Sequence, residues 1–476
     1  ASVGYASTEI GSSSTERVVI KSNFENWSTL QSSYSGASTT IRGREIEIEN
    51  GVGEAINVNG GTLAIGGAET ERILISGSQR GLVLAPLSNN LAKTQNGKVA
   101  LQATAVEIKS QDVAIWAQNS STGSENRSSV LIDAGDITIE APTAIYATSQ
   151  GDVTLNGNTY IKSSSAVYTR GLSKTAIGKS DGTSVVQVEG DINFGYADTT
   201  SVDATVVMNL NGSNSYWKGN AVVSWPDNES KPQDDDLSIT SGLDLNLSNQ
   251  ARWDVVLGGA KDSNAQSAAI SQLTLNDGIV NLLDKQVESI EVKELKGTGG
   301  TVNVVTTVNE NGTLTTPVLQ VGTVESSAGS PTVLALNYTG ITSDYLTAEN
   351  TKDLKALDIA SGTASVSEYV QEGDINGAWT RQDGEGDGSF QTNTIPAPPS
   401  IPAMAPALVV RFQKRLKSIS GPKVAPNPAQ AKLTMVKMTL FSSRAMTMAT
   451  TAMRRRVSRE TRRTTLSEAF LRNSPW

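Results

Sequence analysis

The chain contains no cysteine and no histidine. Without cysteine there is neither a disulfide framework nor a thiolate metal site. Without histidine, a Ser-His-Asp triad, an H-E-x-x-H zinc site and a histidine general base are excluded together. Aromatics are only 5% and apolar residues 37% of the sequence, against roughly 45–50% apolar in ordinary globular domains. No apolar run reaches the roughly 18 residues of a transmembrane helix. A compact sphere of this composition would be poorly filled, whereas a thin elongated stack needs to bury only a narrow core.

What is present is turn and strand chemistry. The 476 residues include 42 Gly with abundant Ser, Thr and Asn, a mixture suited to many short strands joined by tight turns. The opening "ASVGYAS" reads as a mature N-terminus left by an export signal. Charge divides the chain near residue 400. Residues 401–476 carry 15 Lys+Arg and 2 Asp+Glu, so the totals of 39 and 48 leave 24 and 46 for residues 1–400, net +13 against net −22. The same cut places 6 of 7 Met and 1 of 42 Gly in the tail. The junction "NTIPAPPSIPAMAPA" is a Pro-rich extended linker by composition.

Between residues 44 and 195 a three-part phrase recurs. A strand after Gly or Ser ("GTLAI", "GKVAL", "SSVLI", "GDVTL") precedes an I-x-I strand, and a small residue followed by an aliphatic one closes the phrase. The second and third parts pair Ile48 with Ile56, Ile75 with Leu82, Ile108 with Ile115, Ile139 with Ile145 and Ile161 with Val167, and the third recurs at steps of 26, 33, 30 and 22 residues. Periods of this size signal a solenoid. Three short strands per turn, alternating in and out, predict an all-β chain wound as a right-handed three-faced parallel β-helix. One rung of aliphatics at roughly 1.5–3 kcal/mol each does not offset the backbone entropy of its residues, so only the stack is stable. Insertions such as "PLSNNLAKTQNGK" and "NSSTGSENRS" are expected to loop out at a corner. A β-sandwich or string of Ig-like domains would restart about every 100 residues, and no restart is visible.

From residue 208 an L-x-L strand, a polar turn and a Trp recur, as in "MNLNGSNSYWKG" with Trp217 and "LDLNLSNQARWDVVLGG" with Trp253, before "QLTLNDGIVNLL". At these residues the chain resembles the passenger domains of bacterial autotransporters of the pertactin and AIDA type. Leu273, Leu275, Gly278 and Val280 stand at the places of that family's last rungs. Ile290, Val292, Leu295, Gly297, Gly299, Val302 and Val304 match its autochaperone region, and "VQEGDINGAWTRQDGEG", with Trp379, resembles the strand pair that closes it. The resemblance spans roughly residues 20–390 and is specific from about 208 onward. It implies an N-terminal cap or irregular segment at 1–40, parallel β-helix at 41–285, autochaperone-like rungs at 286–392, a linker at 393–408 and a basic tail at 409–476. The Trp residues are expected to cover the open core and strand edges at the solenoid end. The family continues into a translocator barrel, but "RFQKRLK" and "AMRRRVSRETRRTT" cannot form lipid-facing strands, and the tail reads as a shifted reading frame or a disordered basic segment.

Candidate chemistry is sparse. Asp234, Asp235 and Asp236 could serve a glycosidase but read as solvated charge. Asp383, Glu385 and Asp387 begin like a calcium loop, yet Thr394 stands where a bidentate Glu is required. "GTGG" at 297–300 lacks the βαβ context of a nucleotide site. These readings predict a non-catalytic surface or secreted monomer without cofactor, metal or nucleic acid, contacting a surface glycan or host protein, and periplasmic if the translocator is lost. The alternative is a polysaccharide-acting enzyme. Aligned Asp/Glu in a groove would favour the enzyme, and a groove of Ser, Thr and Asn would favour binding.

Overall fold

The structure is a computed structural model that describes residues 2–392, with breaks at 4–6, 34–35, 86–95, 120–126, 196–200, 225–237, 240–241, 258–268, 326–330, 342–344, 346–347, 352–353, 373–374 and 383–390. The chain divides into two units, residues 1–403 and 404–476, and every described residue lies in the first. The Asp234–Asp236 cluster, the calcium-like loop, the linker and the basic tail lie outside the described residues.

The first unit is all-β with parallel strands; Ala348–Thr351 forms one helical turn. Three parallel ladders organise it. Along the first, the inward residues Leu30, Ile56, Leu82, Ile115, Ile145, Val167 and Ile192 are successive register partners. The second carries Ile41, Ile65, Leu101, Ile132, Leu155, Ile177, Met208, Leu245, Leu273 and Leu295. The third carries Ile48, Ile75, Ile108, Ile139, Ile161, Val188, Trp217, Trp253, Val280, Val302 and Leu336. Each of these side chains except Leu30 is at most 1% exposed. The cause is the strand's period of two, which sends alternate side chains inward, while the parallel register sets each above its counterpart about 4.8 Å away.

The spacing of the sequence phrase is therefore the spacing of the ladders: Ile56, Leu82, Ile115, Ile145 and Val167 are direct partners. Two features differ from expectation. First, adjoining strands of the phrase often run on as one bent strand, as in Gly97–Ser110, Ser128–Glu140 and Gly151–Arg170. Small residues take the bends: a Cβ on Gly157 would lie 2.1 Å from the Ala134 carbonyl oxygen. Second, the described residues of the 1–40 segment are largely strand rather than irregular. Ser7–Gly11, Arg17–Ser22, Leu30–Ser33 and Ser38–Arg42 join the same ladders. Their pattern is faint in the sequence because Ser32 and Thr39 occupy buried positions where the next strands place Val58 and Leu63.

Toward the C-terminal side the pairing changes. Ala364–Glu372 continues the parallel stack on Thr332–Thr339, and Ile375–Gln382 then turns back antiparallel on it, with Val370 opposite Trp379.

Candidate functional site

The residues singled out by the resemblance are backbone-shaping and core residues. Trp217 and Trp253 are register partners, fully buried, with rings stacked at 5.1 Å and 5°. Their indole Nε1 atoms donate to the Gly190 and Gly219 carbonyls, each at 3.0 Å. They do not cover an end: Val188 precedes them in the row and Val280, Val302 and Leu336 follow. Each indole fills the core with its one polar atom satisfied by the backbone. Leu273, Leu275, Val280, Ile290, Val292, Leu295, Val302 and Val304 are buried in the same core. Gly278 admits no side chain, since a Cβ would sit 2.5 Å from that of Leu247. Gly297 and Gly299 have φ of +99° and +120°, and a Cβ on Gly299 would lie 1.8 Å from the Val333 carbonyl oxygen. That left-handed, crowded backbone accepts glycine alone.

The outer surface carries two organised features. The first is a groove of about 370 Å³ lined by Ser180, Asp181, Gly182, Asn209, Leu210, Asn211, Asn246, Ser248, Asn249, Thr274 and Asn276. It forms because outward positions on the second ladder hold short polar side chains on consecutive rungs: Asn209, Asn246 and Thr274 in one row, Asn211, Ser248 and Asn276 in the next. The carboxamides brace one another. Asn246 Nδ2 donates to Asn209 Oδ1 at 2.9 Å, Asn249 Nδ2 donates to Asn211 Oδ1 at 2.7 Å, and Asn211 Nδ2 donates to the Gly182 carbonyl. Asn249 and Gln250 sit in left-handed turn conformations, φ +53° and +68°, and Asn249 lines the groove from that turn. Asp181 is the one carboxylate lining it. Hydrogen bonds from the Thr183 hydroxyl and amide, at 2.7 and 3.0 Å, hold that carboxyl below the usual range. It is an acceptor rather than a proton donor, so the lining can hydrogen-bond but lacks an acid–base pair.

The second feature is an aromatic column on the outer face of the first ladder. Trp116, Tyr146 and Tyr168 are register partners with ring centroids 4.9 and 4.8 Å apart. The Arg80 guanidinium lies 4.2 Å from the Trp116 ring centre and is itself held by Glu54 at 3.0 Å. The column occupies one fixed position of the repeat, as "VAIWA", "TAIYA" and "SAVYT" show. The inward Ile and Val there carry the hydrophobic pattern, and their outward aromatic neighbours do not register in it. Nothing in the sequence pattern picks out the groove, because its lining comes from strands some 30 residues apart.

Among the described residues there is no cluster of three or more acidic side chains able to hold a metal ion, and no helix is long and apolar enough to cross a membrane. No family model, curated protein or solved structure matches the chain.

Proposed function

We propose that the three parallel ladders wind as a right-handed parallel β-helix, and that the chain is the passenger of an autotransporter-type surface or secreted protein, non-catalytic, contacting a polyhydroxylated ligand such as a surface glycan. The groove carries this reading. Carboxamides and hydroxyls offer paired donors and acceptors that match sugar hydroxyls and water-bridged contacts, and a single ionised carboxylate supplies no general acid. The rigid strands beneath hold these groups in place without the ligand, which lowers the ordering entropy of binding. Adhesion is the natural use of such a surface on an exported stack, and cell-surface or extracellular address goes with it.

The test is a panel of neutral and anionic oligosaccharides and matrix proteins against the purified chain, run beside assays for released reducing ends. Saccharide binding that is lost in Asn246→Ala together with Asn276→Ala, without hydrolysis, supports the reading. Turnover of any polysaccharide would replace it with the enzyme reading, and binding untouched by these changes would remove the groove from it.

A further inference from the structure

The loop 23–29, "NFENWST", joins Arg17–Ser22 to Leu30–Ser33. Five consecutive residues here, Asn23 to Trp27, are exposed. Phe24 and Trp27, at 61% and 68%, are the most exposed large apolar side chains described. Aromatics are 5% of this sequence; among the described ones Trp217, Trp253, Phe194 and Tyr338 are spent on the core and Trp116, Tyr146 and Tyr168 on the outer column.

The loop is held as a fixed shape. Asn50, 1% exposed, sits beneath it and donates Nδ2 to the carbonyls of Phe24 at 3.0 Å, Trp27 at 2.9 Å and Glu54 at 2.9 Å. Its Oδ1 accepts the amides of Val52 and Gly53 at 3.1 and 3.0 Å. Gly53 is required for this fit, because a Cβ there would lie 2.5 Å from the Phe24 carbonyl oxygen. At the loop's base Thr29 Oγ1 donates to the Glu49 carbonyl at 2.9 Å. One buried side chain thus fixes the two backbone positions that present the aromatics, while the rings gain no burial from it. A folded chain has no internal reason to order two large rings in water.

We propose that this loop is a second saccharide-contact site, taking the apolar C–H face of a neutral pyranose on the Phe24 and Trp27 rings. The inference rests on the reading of the chain as a glycan-contacting surface protein but not on the groove. A ring face packs against sugar C–H groups, and the hydroxyls at the sugar's edge need acceptors and donors within reach. Asn23, Glu25 and Asn26 supply both, and none of the three hydrogen-bonds to another described residue. The same residues argue against a lipid surface, where Glu25 between the rings would have to leave water. They also divide the rings, so no continuous apolar strip is offered to a partner helix.

The experiment uses the whole chain labelled with 5-fluorotryptophan, the Trp27 resonance being identified by its loss in Trp27→Phe. Cellotetraose, chitotetraose and β-galactotetraose are titrated in parallel with phosphatidylcholine vesicles. A saturable shift of the Trp27 signal with at least one oligosaccharide is expected. Affinity, read for every variant by isothermal titration calorimetry, should fall at least about tenfold in Phe24→Ala and Trp27→Ala, stay close to that of the unaltered chain in Trp27→Phe, and be indifferent to Asn246→Ala. Asn50→Ala should weaken binding with both rings present, and unchanged backbone circular dichroism checks that it still folds. A Trp27 signal that none of the oligosaccharides moves, or that only vesicles move, overturns the proposal. If Asn246→Ala alone abolishes the shift, the groove is the site and this loop is not.

Discussion

Lys109 and Glu140 stand side by side on adjacent parallel strands, Nζ 3.3 Å from the carboxylate, and they belong to an outward row whose charge alternates rung by rung. The row reads Lys109, Glu140, Lys162, Glu189, Lys218 and Asp254. Beyond Asp254 it continues as Asn281, Asn303 and Asn337, whose carboxamides form a chain of hydrogen bonds of 2.6–2.8 Å that starts at the Asp254 carboxylate. In a parallel stack any residue repeated in place would meet its own charge. Alternation turns that repulsion into attraction and penalises a strand that docks one rung out of step.

Replacing Glu140 by lysine, E140K, places three cations in succession at 109, 140 and 162. The pair is half exposed, so the loss should be modest, about 1 kcal/mol and smaller at high salt. Urea unfolding at low and high salt measures it. A loss unaffected by salt would mean that the row does not act through charge.

Trp253→Ala opens a cavity in the centre of the stack and should cost about 3–5 kcal/mol. Its stacked neighbour makes the effect non-additive: Trp217→Ala in the same chain should cost less than the sum, since the two indoles share one contact. A double-mutant cycle by chemical denaturation reads the coupling, and strict additivity would show that the stacking is incidental.

The acid side of the stability curve should be set by carboxylates on the third ladder. The Lys21 ammonium, with help from Arg17 and against burial, holds Glu47 below the ordinary glutamate value of 4.5. Burial pushes Glu107 up, but Lys109 and Arg72 outweigh it and the net shift is downward. A depressed folded-state value contributes stability above the unfolded value and loses it as pH falls through the folded one. Thermal midpoints should therefore drop as pH falls below about 4.5, less steeply in Glu47→Gln and Glu107→Gln. Asp191 has the opposite sign, because burial raises its carboxyl. Its contribution is present at low pH and lost as pH rises, so Asp191→Asn should raise the midpoint near neutrality and change little in acid. An unchanged neutral midpoint would show that Asp191 is better solvated than its surroundings imply.

The basic tail invites a check that needs no protein. If residues 401–476 arise from a shifted frame, translating the gene beyond codon 400 in the other two frames should give ten-residue alternating strands ending in a terminal aromatic strand. Finding none would make the tail a genuine cationic segment, whose affinity for DNA should then fall steeply with salt.

The ladders were legible in the sequence because inward positions are chemically monotonous: Ile48, Ile75, Ile108, Ile139 and Ile161 announce their own register. Gly297 and Gly299 stood out through the resemblance alone, and their left-handed φ values are set by the folded backbone. Where the first rungs bury Ser32 and Thr39 instead, the same geometry was invisible to a hydrophobic pattern. The Trp residues were recognised but misplaced, because a sequence motif says which element a side chain belongs to and not how many rungs lie beyond it. Tertiary structure alone decided the rest. The groove exists only when Asn209, Asn246 and Asn276, each an unremarkable polar strand residue, are brought together from different strands. The poise of Phe24 and Trp27 depends on Asn50, more than twenty residues away. Inward positions are selected for one property, burial, which a local pattern records. Outward sites are sums of positions far apart in the chain, and only the pairing of strands performs that sum.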